Sequence, residues 1–436
     1  MELEKREVQT LPQPKKNWRW TVVIWLIIGG LINYLDRANL SIAAPEMMKD
    51  LKLSNTDIGL FGTLFSWSYA LMQLPAGWLI DRFGAKKMYA ISLAWWSIAT
   101  MLTGAVNKIS SFVIARLLLG VGEAPGWPAG AKMTSFWFPK KERAFATGLW
   151  DSASKWGPAI APPILVAIMV AFGWRALFYI TGAVGVVFAL LFVIFYRNPD
   201  KSNGLSKEEF AYIQAEGAGT EESLSQSKIK WAQLFKYKSM WGMILGFFCT
   251  IWIWNIFLVF LPLYLVKSNG VSLQQLGFLA SIPWLGGVFG AIFGGYLIKR
   301  LVDRNIASPI KAKRILISVC AVLTAIVVIL VPFFSSLGIK MTLMTLALCF
   351  ISAITGSAWA LAGDIAPPSM VASVGSIQNF GGYFGGAFSP IIAGIIVDRT
   401  DSYSLAFISG GIIAGCAALC YWFLVKDPIE EPIINE

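Results

Sequence analysis

The chain has 436 residues, of which 56% are hydrophobic and 14% charged, and it carries a formal charge of +11 with no histidine. Soluble domains carry about 25% charged residues, so the deficit excludes an ordinary water-soluble fold. The missing imidazoles exclude histidine relays and histidine metal sites. The five cysteines (Cys249, Cys320, Cys349, Cys416 and Cys420) lie in apolar runs without CxxC spacing, which excludes a zinc or disulfide framework.

In chain order, residues 1–19 form a polar tail with Lys5, Arg6, Lys15, Lys16 and Arg19, and no small-residue cleavage site follows the next apolar stretch. A bilayer crossing needs roughly 20 largely apolar residues. Candidate spans are 20–40, 57–80, 87–106, 110–138, 144–171 and 174–196, then 238–266, 272–298, 313–334, 341–363, 369–397 and 403–425. The fourth, fifth and eleventh contain Pro and Gly, which membrane helices tolerate when neighbours satisfy the freed backbone groups. The expected fold is an all-α membrane protein of twelve transmembrane helices in two six-helix, pseudo-symmetric bundles. The bundles would be 20–196 and 238–425, with a linker at 197–237 and a C-terminal tail at 426–436. In the linker, Ser206 with Glu209 three residues on is a capping box, which predicts a short surface helix.

An even number of spans puts both ends on one side. Most of the 36 basic residues fall in the tails and in loops on that side. The opposite loops hold Lys49, Lys52, Lys108, Arg175, Lys267, Lys340 and Arg399. The bias predicts cytoplasmic termini in a multi-pass protein of the cell (inner) membrane, and it accounts for the basic charge without a nucleic-acid partner.

The halves look related. Gly77-Trp78-Leu79-Ile80-Asp81-Arg82 ends the second span and Gly295-Tyr296-Leu297-Ile298-Lys299-Arg300 the eighth. A separate shift aligns Gly148, Pro163 and Ile164 with Gly375, Pro390 and Ile391. Parallel repeats of this kind occur in transporters that rock two bundles around a central site.

Gly77 begins the run that continues through Gly84, Lys86 and Lys87. Gly77 would permit close helix approach, while Asp81, Arg82 and the lysines would form a charge network latching the halves. The alternative is a plain basic loop. Inside the first span, Tyr34-Leu35-Asp36-Arg37 places a charged pair at a cost, which marks it as functional by default. The pair sits toward the outer end of 20–40, so a structural interface pair is the alternative. In the fourth span Arg116 and Glu123 are two turns apart on one side, near the ridge Gly122, Gly126 and Gly130. An ion pair to a neighbouring helix is the alternative there.

The run Gly77–Lys87 meets every fixed position of the G-x-x-x-D-R-x-G-x-[RK]-[RK] loop signature, and with it the whole chain resembles the major facilitator superfamily. Asp36-Arg37, Tyr69, Arg116 and Glu123, with Gln378-Asn379-Phe380-Gly381-Gly382, resemble the anion:cation symporter family within it. That resemblance implies Arg37 or Arg116 for a substrate carboxylate, Asp36 and Glu123 for protons, and Tyr69 and Asn379 for substrate hydrogen bonds. It implies proton-coupled uptake of an organic anion such as a hexuronate, aldonate or aldarate. Ser154 departs from the glutamine that aldonate carriers of the family tend to have.

Beside Ser154, Asp151 and Lys155 are spaced four apart and could pair along one face. Alternatively Lys155 offers a second cation to the substrate. Trp252, Trp254, Asn255, Tyr264 and Trp359 are candidates for stacking on a sugar or reading its hydroxyls, with plain packing the competing reading. Arg37, Arg116 and Lys155 balance Asp36, Glu123 and Asp151, so protonating Glu123 or Asp36 would leave net positive charge for an anion. The rival readings are a carrier of non-sugar carboxylates and a drug or cation exporter of the same fold. No G-x-x-x-x-G-K-[ST] and no G-x-S-x-G is present, so no enzyme activity is expected. The expected partners are a small anion, protons and the lipid bilayer, with no cofactor beyond the proton and the chain acting as a monomer.

Overall fold

The computed structural model describes residues 17–429 except 203, 216–230 and 367–370. The expected capping of the linker is described in part, whereas most of both tails and the side chain of Asp81 lie outside the described residues.

The first helix, α1 (Trp20–Leu51), runs eleven residues past the expected end, at Pro45 and beyond. At 1.5 Å per residue its 32 residues exceed the roughly 30 Å of hydrocarbon. Asp36 and Arg37 therefore sit at mid-helix and not near its outer end. The polar residues that obscured this in the sequence, Asn33, Asn39 and Ser41, all face protein and are buried.

Helices α2 (Asn55–Phe83) and α3 (Ala85–Ala105) follow, joined at Gly84, whose φ of 86° suits a residue without a Cβ. The fourth crossing is broken into α4 (Ile109–Glu123) and α5 (Gly126–Trp137) around Ala124-Pro125. Helix α6 (Lys140–Asp151) leads into α7 (Ala153–Phe195), which reverses at Gly173 (φ 81°, ψ 168°) and so supplies both the fifth and sixth crossings. The linker holds α8 (Lys207–Ala215) and a single turn, α9 (Trp231–Leu234).

The second half contains α10 (Lys238–Leu263), the broken pair α11 (Leu273–Leu279) and α12 (Ser281–Asp303), α13 (Pro309–Leu330) and α14 (Leu337–Ile365). It ends with the broken pair α15 (Val371–Gly386) and α16 (Phe388–Thr400), then α17 (Tyr403–Leu419). Nine segments among the described residues are long and apolar enough to cross a membrane. One of them, Ala146–Phe195, crosses twice, and α2 and α3 complete the twelve.

The apolar packing divides the molecule lengthwise. Away from the termini one continuous core joins both halves, from Ala44 and Phe61 through Leu165 to Trp254, Phe260 and Ala393. Toward the termini there are two separate cores, one within each half. The bundles are thus closed at the end remote from the termini and part company toward the other.

The closed end shows the pseudo-symmetry at atomic scale. Gly59 of α2 and Gly277 of α11 stand as far apart in sequence as Gly77 and Gly295. A Cβ at Gly59 would collide with the backbone of Pro390, and one at Gly277 would touch Pro163 Cα at 3.2 Å. Pro163 and Pro390 are the repeat-related prolines, so each half offers a glycine to the other's proline. Asp398 closes the same end. Its Oδ1 accepts from Asn55 N and Nδ2 (3.1 and 2.8 Å), and its Oδ2 from Thr56 N and Oγ1 (2.7 and 2.6 Å). One carboxylate of the second half therefore caps a helix of the first.

At the terminal end α8 docks on the first half. The Glu209 N–H donates the expected capping bond to Ser206 Oγ at 3.1 Å, but the Glu209 carboxylate makes no reciprocal bond to Ser206 N. It accepts instead from the backbone N–H groups of Trp18 and Arg19, and from the Arg19 guanidinium at 3.0 Å. Arg19 also pairs with Glu142 at 2.8 Å. A buried carboxylate takes the partner with most donors.

Candidate functional site

Between the halves lies a narrow cavity of about 30 Å³. The first half contributes Arg37, Ser41, Phe65, Ser66 and Arg116, and the second Trp254, Asn255 and Tyr383. Arg37 is the centre of the polar wall. Its Nε donates to Glu123 Oε2 at 2.6 Å, in a pair whose side chains are 5% and 0% exposed. Three rings, Tyr34, Phe65 and Tyr69, stand 5.2, 5.2 and 4.8 Å from the guanidinium carbon. Desolvated cation–π contacts of this kind contribute up to about 2 kcal/mol each. One nitrogen, Nη2, has no partner.

Arg116 is the second guanidinium on the wall. Its Nε and Nη2 are buried without partners, and Phe178 lies 5.8 Å from its carbon. The shared helix face of Arg116 and Glu123 does not produce a pair between them: Glu123 takes its cation from α1. A buried guanidinium with idle N–H groups has a large desolvation cost that an anion would offset.

Asp36 is brought into the first bundle and not to the cavity. Adjacent residues on a helix point about 100° apart, so when Arg37 faces the cavity Asp36 faces α3 and the sixth crossing. There Asn39 Nδ2 bridges Asp36 Oδ1 (3.4 Å) and Thr181 Oγ1 (2.7 Å).

The expected Asp151–Lys155 pair does not form. Asp151 accepts from Trp127 Nε1 at 2.9 Å, and Lys155 donates to Ser154 Oγ at 3.2 Å. The Lys155 ammonium lies 5.4 Å from the Trp254 ring, across the boundary between the halves. The aromatic face is the stronger competitor because it reaches the cation from a facing helix. Lys155 and Ser154 therefore stand beside the cavity, through Trp254.

Asn255 reaches the wall, its amide donating to Gly386 O at 3.1 Å and leaving its carbonyl oxygen free of described partners. Tyr69 and Asn379 meet the opposite half. Tyr69 packs at 5.6 Å on Tyr383, and Asn379 Nδ2 donates to Gln73 Oε1 at 3.1 Å. Tyr69 and Gln73 are one turn apart, as are Asn379 and Tyr383, so two matched faces meet. Sequence reasoning missed Tyr383 and Gln73, yet each lies four residues from a residue it did select. Trp359 does not join the site. It is 48% exposed with its ring edge against Phe247, outside the cavity wall.

The latch residues lie far from the cavity, at the terminal end. Arg82 stands over Trp78 (5.1 Å) and Phe83 (5.6 Å) of its own helix, and Lys87 lies 5.7 Å from Phe83. Gly84 and Lys86 belong to the same turn. Gly77 makes no close approach: nothing lies within 4 Å of where its Cβ would stand. The halves are parted here, so a glycine suited to close packing has nothing to pack on.

The family model described as Major Facilitator Superfamily matches residues 26–390. The chain is 37% identical over 417 residues to the "Probable L-galactonate transporter" of Escherichia coli, covering 96% of this chain and 91% of that one. It is 34% identical over 441 residues to the "Probable galactarate/D-glucarate transporter GarP" of the same organism, covering 96% and 98%. In fold it is similar to the inward-facing, unoccupied bacterial homologue of the human lysosomal transporter Spinster, with a TM-score of 0.80, 18% identity and 96% and 100% coverage.

Proposed function

The chain belongs to the major facilitator superfamily, as a membrane transporter and not an enzyme, and from that premise we propose that it takes up a sugar acid together with protons. The observation that carries this reading is the Arg37–Glu123 pair, whose guanidinium lines a cavity that the idle Arg116 also lines.

The coupling follows from charge. An incoming carboxylate competes with Glu123 for Arg37 and is held further by Arg116. Glu123 then stands buried without a cation, and an isolated buried carboxylate is costly enough to take up a proton instead. Substrate and proton thus enter together. Asp36, facing the bundle interior, is the second proton site. Asn255, Tyr383 and Asn379 offer carbonyl and hydroxyl groups to sugar hydroxyls, and Trp254 offers a flat apolar face. The relatives' printed names, galactonate and galactarate/D-glucarate, support an aldonate or aldarate as cargo. Lys155 at Trp254 favours the aldarate, since it stands where a second carboxylate would arrive.

Alternating access proceeds by rocking of the halves, from the shared core at one end to contact at the other. Both termini lie in the cytoplasm, in the cell membrane, and the protein works as a monomer. The test is uptake of L-galactonate, galactarate and D-glucarate into proteoliposomes under an imposed pH gradient. The gradient should drive accumulation in the wild type and leave Glu123→Gln unaffected. Gradient-independent uptake by the wild type, or gradient-driven uptake by Glu123→Gln, would sink the coupling.

A further inference from the structure

Behind the cavity, the interior of the first half holds polar atoms that the protein leaves unpaired. Asn33, Asp36 and Asn39 on α1 and Trp96, Ser97 and Thr100 on α3 are all 0–1% exposed, and Trp96 lies beside Asp36. Both amide atoms of Asn33 lack a partner, as do Asp36 Oδ2, Asn39 Oδ1, Trp96 Nε1, Ser97 Oγ and Thr100 Oγ1. Each orphan of this kind costs about 1–3 kcal/mol. Such groups occur together only where something polar satisfies them, and buried waters making about three hydrogen bonds each are the usual solution.

The mixture of groups identifies the occupant. A cation would need acceptors throughout, but the Trp96 indole beside Asp36 and the Asn33 amide beside Glu123 are donors. Donors interleaved with acceptors suit water.

The position of the cluster gives it a task. Asn33 lies one turn before Arg37 and beside Glu123, whose Oε1 also has no partner, although it forms no well-aligned hydrogen bond there. Trp96 and Thr181 lie beside Asp36. The charged groups around the cluster are Asp36 and Arg37 of α1 and Arg116 and Glu123 of α4. Only Arg37 and Arg116 of these line the cavity.

We propose that this cluster is a buried water relay carrying a proton between Glu123 and Asp36, with Asn33 as the positioning residue that holds water between the two carboxyls. The inference rests on the proton coupling proposed above. Protonated Glu123 gives its Oε1 proton to a bridging water as that water gives one to Asp36 Oδ2. One O–H bond breaks at Glu123 and one forms at Asp36. The water is restored and the net charge of the bundle is unchanged. Asp36 thereby stores a proton away from the substrate while Glu123 is free to re-pair with Arg37.

The test uses Asn33→Leu, which keeps the volume and removes both hydrogen-bonding atoms, with Asn33→Ser as the polar control. Two readouts separate the roles in proteoliposomes. One is accumulation driven by a pH gradient. The other is exchange of labelled for unlabelled sugar acid at equal pH, which needs no net proton transfer, using whichever of L-galactonate, galactarate and D-glucarate the wild type takes up. The relay requires Asn33→Leu to lose about tenfold in gradient-driven accumulation, equivalent to about 1.4 kcal/mol, with exchange within about twofold of wild type. Asn33→Ser should recover most of the accumulation. Wild-type accumulation in Asn33→Leu, or equal loss of exchange and accumulation, would overturn the relay. A wild type that ignores the gradient would instead refute the coupling reading on which the relay stands.

Discussion

The two halves share a fold and differ in chemistry. The first half sets Arg37 and Arg116 on the cavity wall and buries Asp36 and Glu123 behind it, with Lys155 at the edge. The facing second half presents Trp254, Asn255, Tyr383 and Asn379, none of them charged at neutral pH. Its one buried cation among the described residues, Lys313, lies outside the cavity wall and bonds Asp364. Repetition of a six-helix unit therefore fixes the packing, down to the reciprocal glycine–proline contacts, without fixing the function of each copy. On the proposed reading, the ionisable half exchanges charge with the solvent and cargo, while the neutral half supplies shape and hydroxyl recognition.

That division can be broken at its strongest point first. Arg37→Ala leaves Glu123 buried without its cation, a change that typically costs about 3–5 kcal/mol. Uptake should fall at least about 100-fold, measured as initial rate in proteoliposomes, and Arg37→Lys should recover little because the ammonium lacks the planar fork. A second comparison sharpens the contrast. Asn255→Ala or Tyr383→Phe should weaken apparent affinity about tenfold, the scale of one lost hydrogen bond in a buried site, while the response to a pH gradient persists. Loss of coupling in either variant would mean that the neutral half takes part in proton movement. Next in size, Lys155→Gln should reduce galactarate uptake several-fold and spare galactonate, since only the aldarate offers a second carboxylate; equal effects on both would remove Lys155 from recognition.

The smallest effects concern the two ends. Gly59→Ala would push a methyl into Pro390 and Ile391 Cα (2.9 Å), and overpacking of this kind costs about 1–3 kcal/mol. Gly77→Ala meets nothing in this conformation. The first variant should lower the melting temperature in detergent and the second leave it unchanged; the same shift in both would mean that the terminal end also closes in the resting protein.

Much of this was legible in the sequence, but unevenly. Most of the crossings follow from apolar run length, α2 and α3 being the less apolar exceptions, and the reversal at Gly173 falls between two predicted spans. Run length failed at α1, where Asn39, Ser41 and Pro45 imitate a boundary: Asn39 bonds Thr181 of another helix, and Ser41 bonds back to Ala38 O within α1. Helical spacing grouped Arg116 with Glu123 and Asp151 with Lys155, and neither pair forms. Spacing gives direction around one axis, while the partner depends on which helix lies opposite. For Glu123 that partner is Arg37, and for Lys155 it is a tryptophan of the other half. Trp359 was selected by residue type, which says nothing about the face it occupies.

The Asp398 clasp has a consequence for how freely the closed end can release. Helix α2 carries its own cap, since Ser54 Oγ accepts from Asp57 N at 3.0 Å and Asp57 returns the bond to Ser54 N at 2.8 Å. Asp398 serves the N–H groups and side-chain donors of Asn55 and Thr56 in the first turn, which water can serve equally well once exposed. Separation of the halves leaves the Ser54–Asp57 cap of α2 in place, since both of its bonds lie within the first half. The clasp is a removable bolt fitted to a finished edge, so releasing it exchanges its hydrogen bonds with solvent and leaves that cap intact.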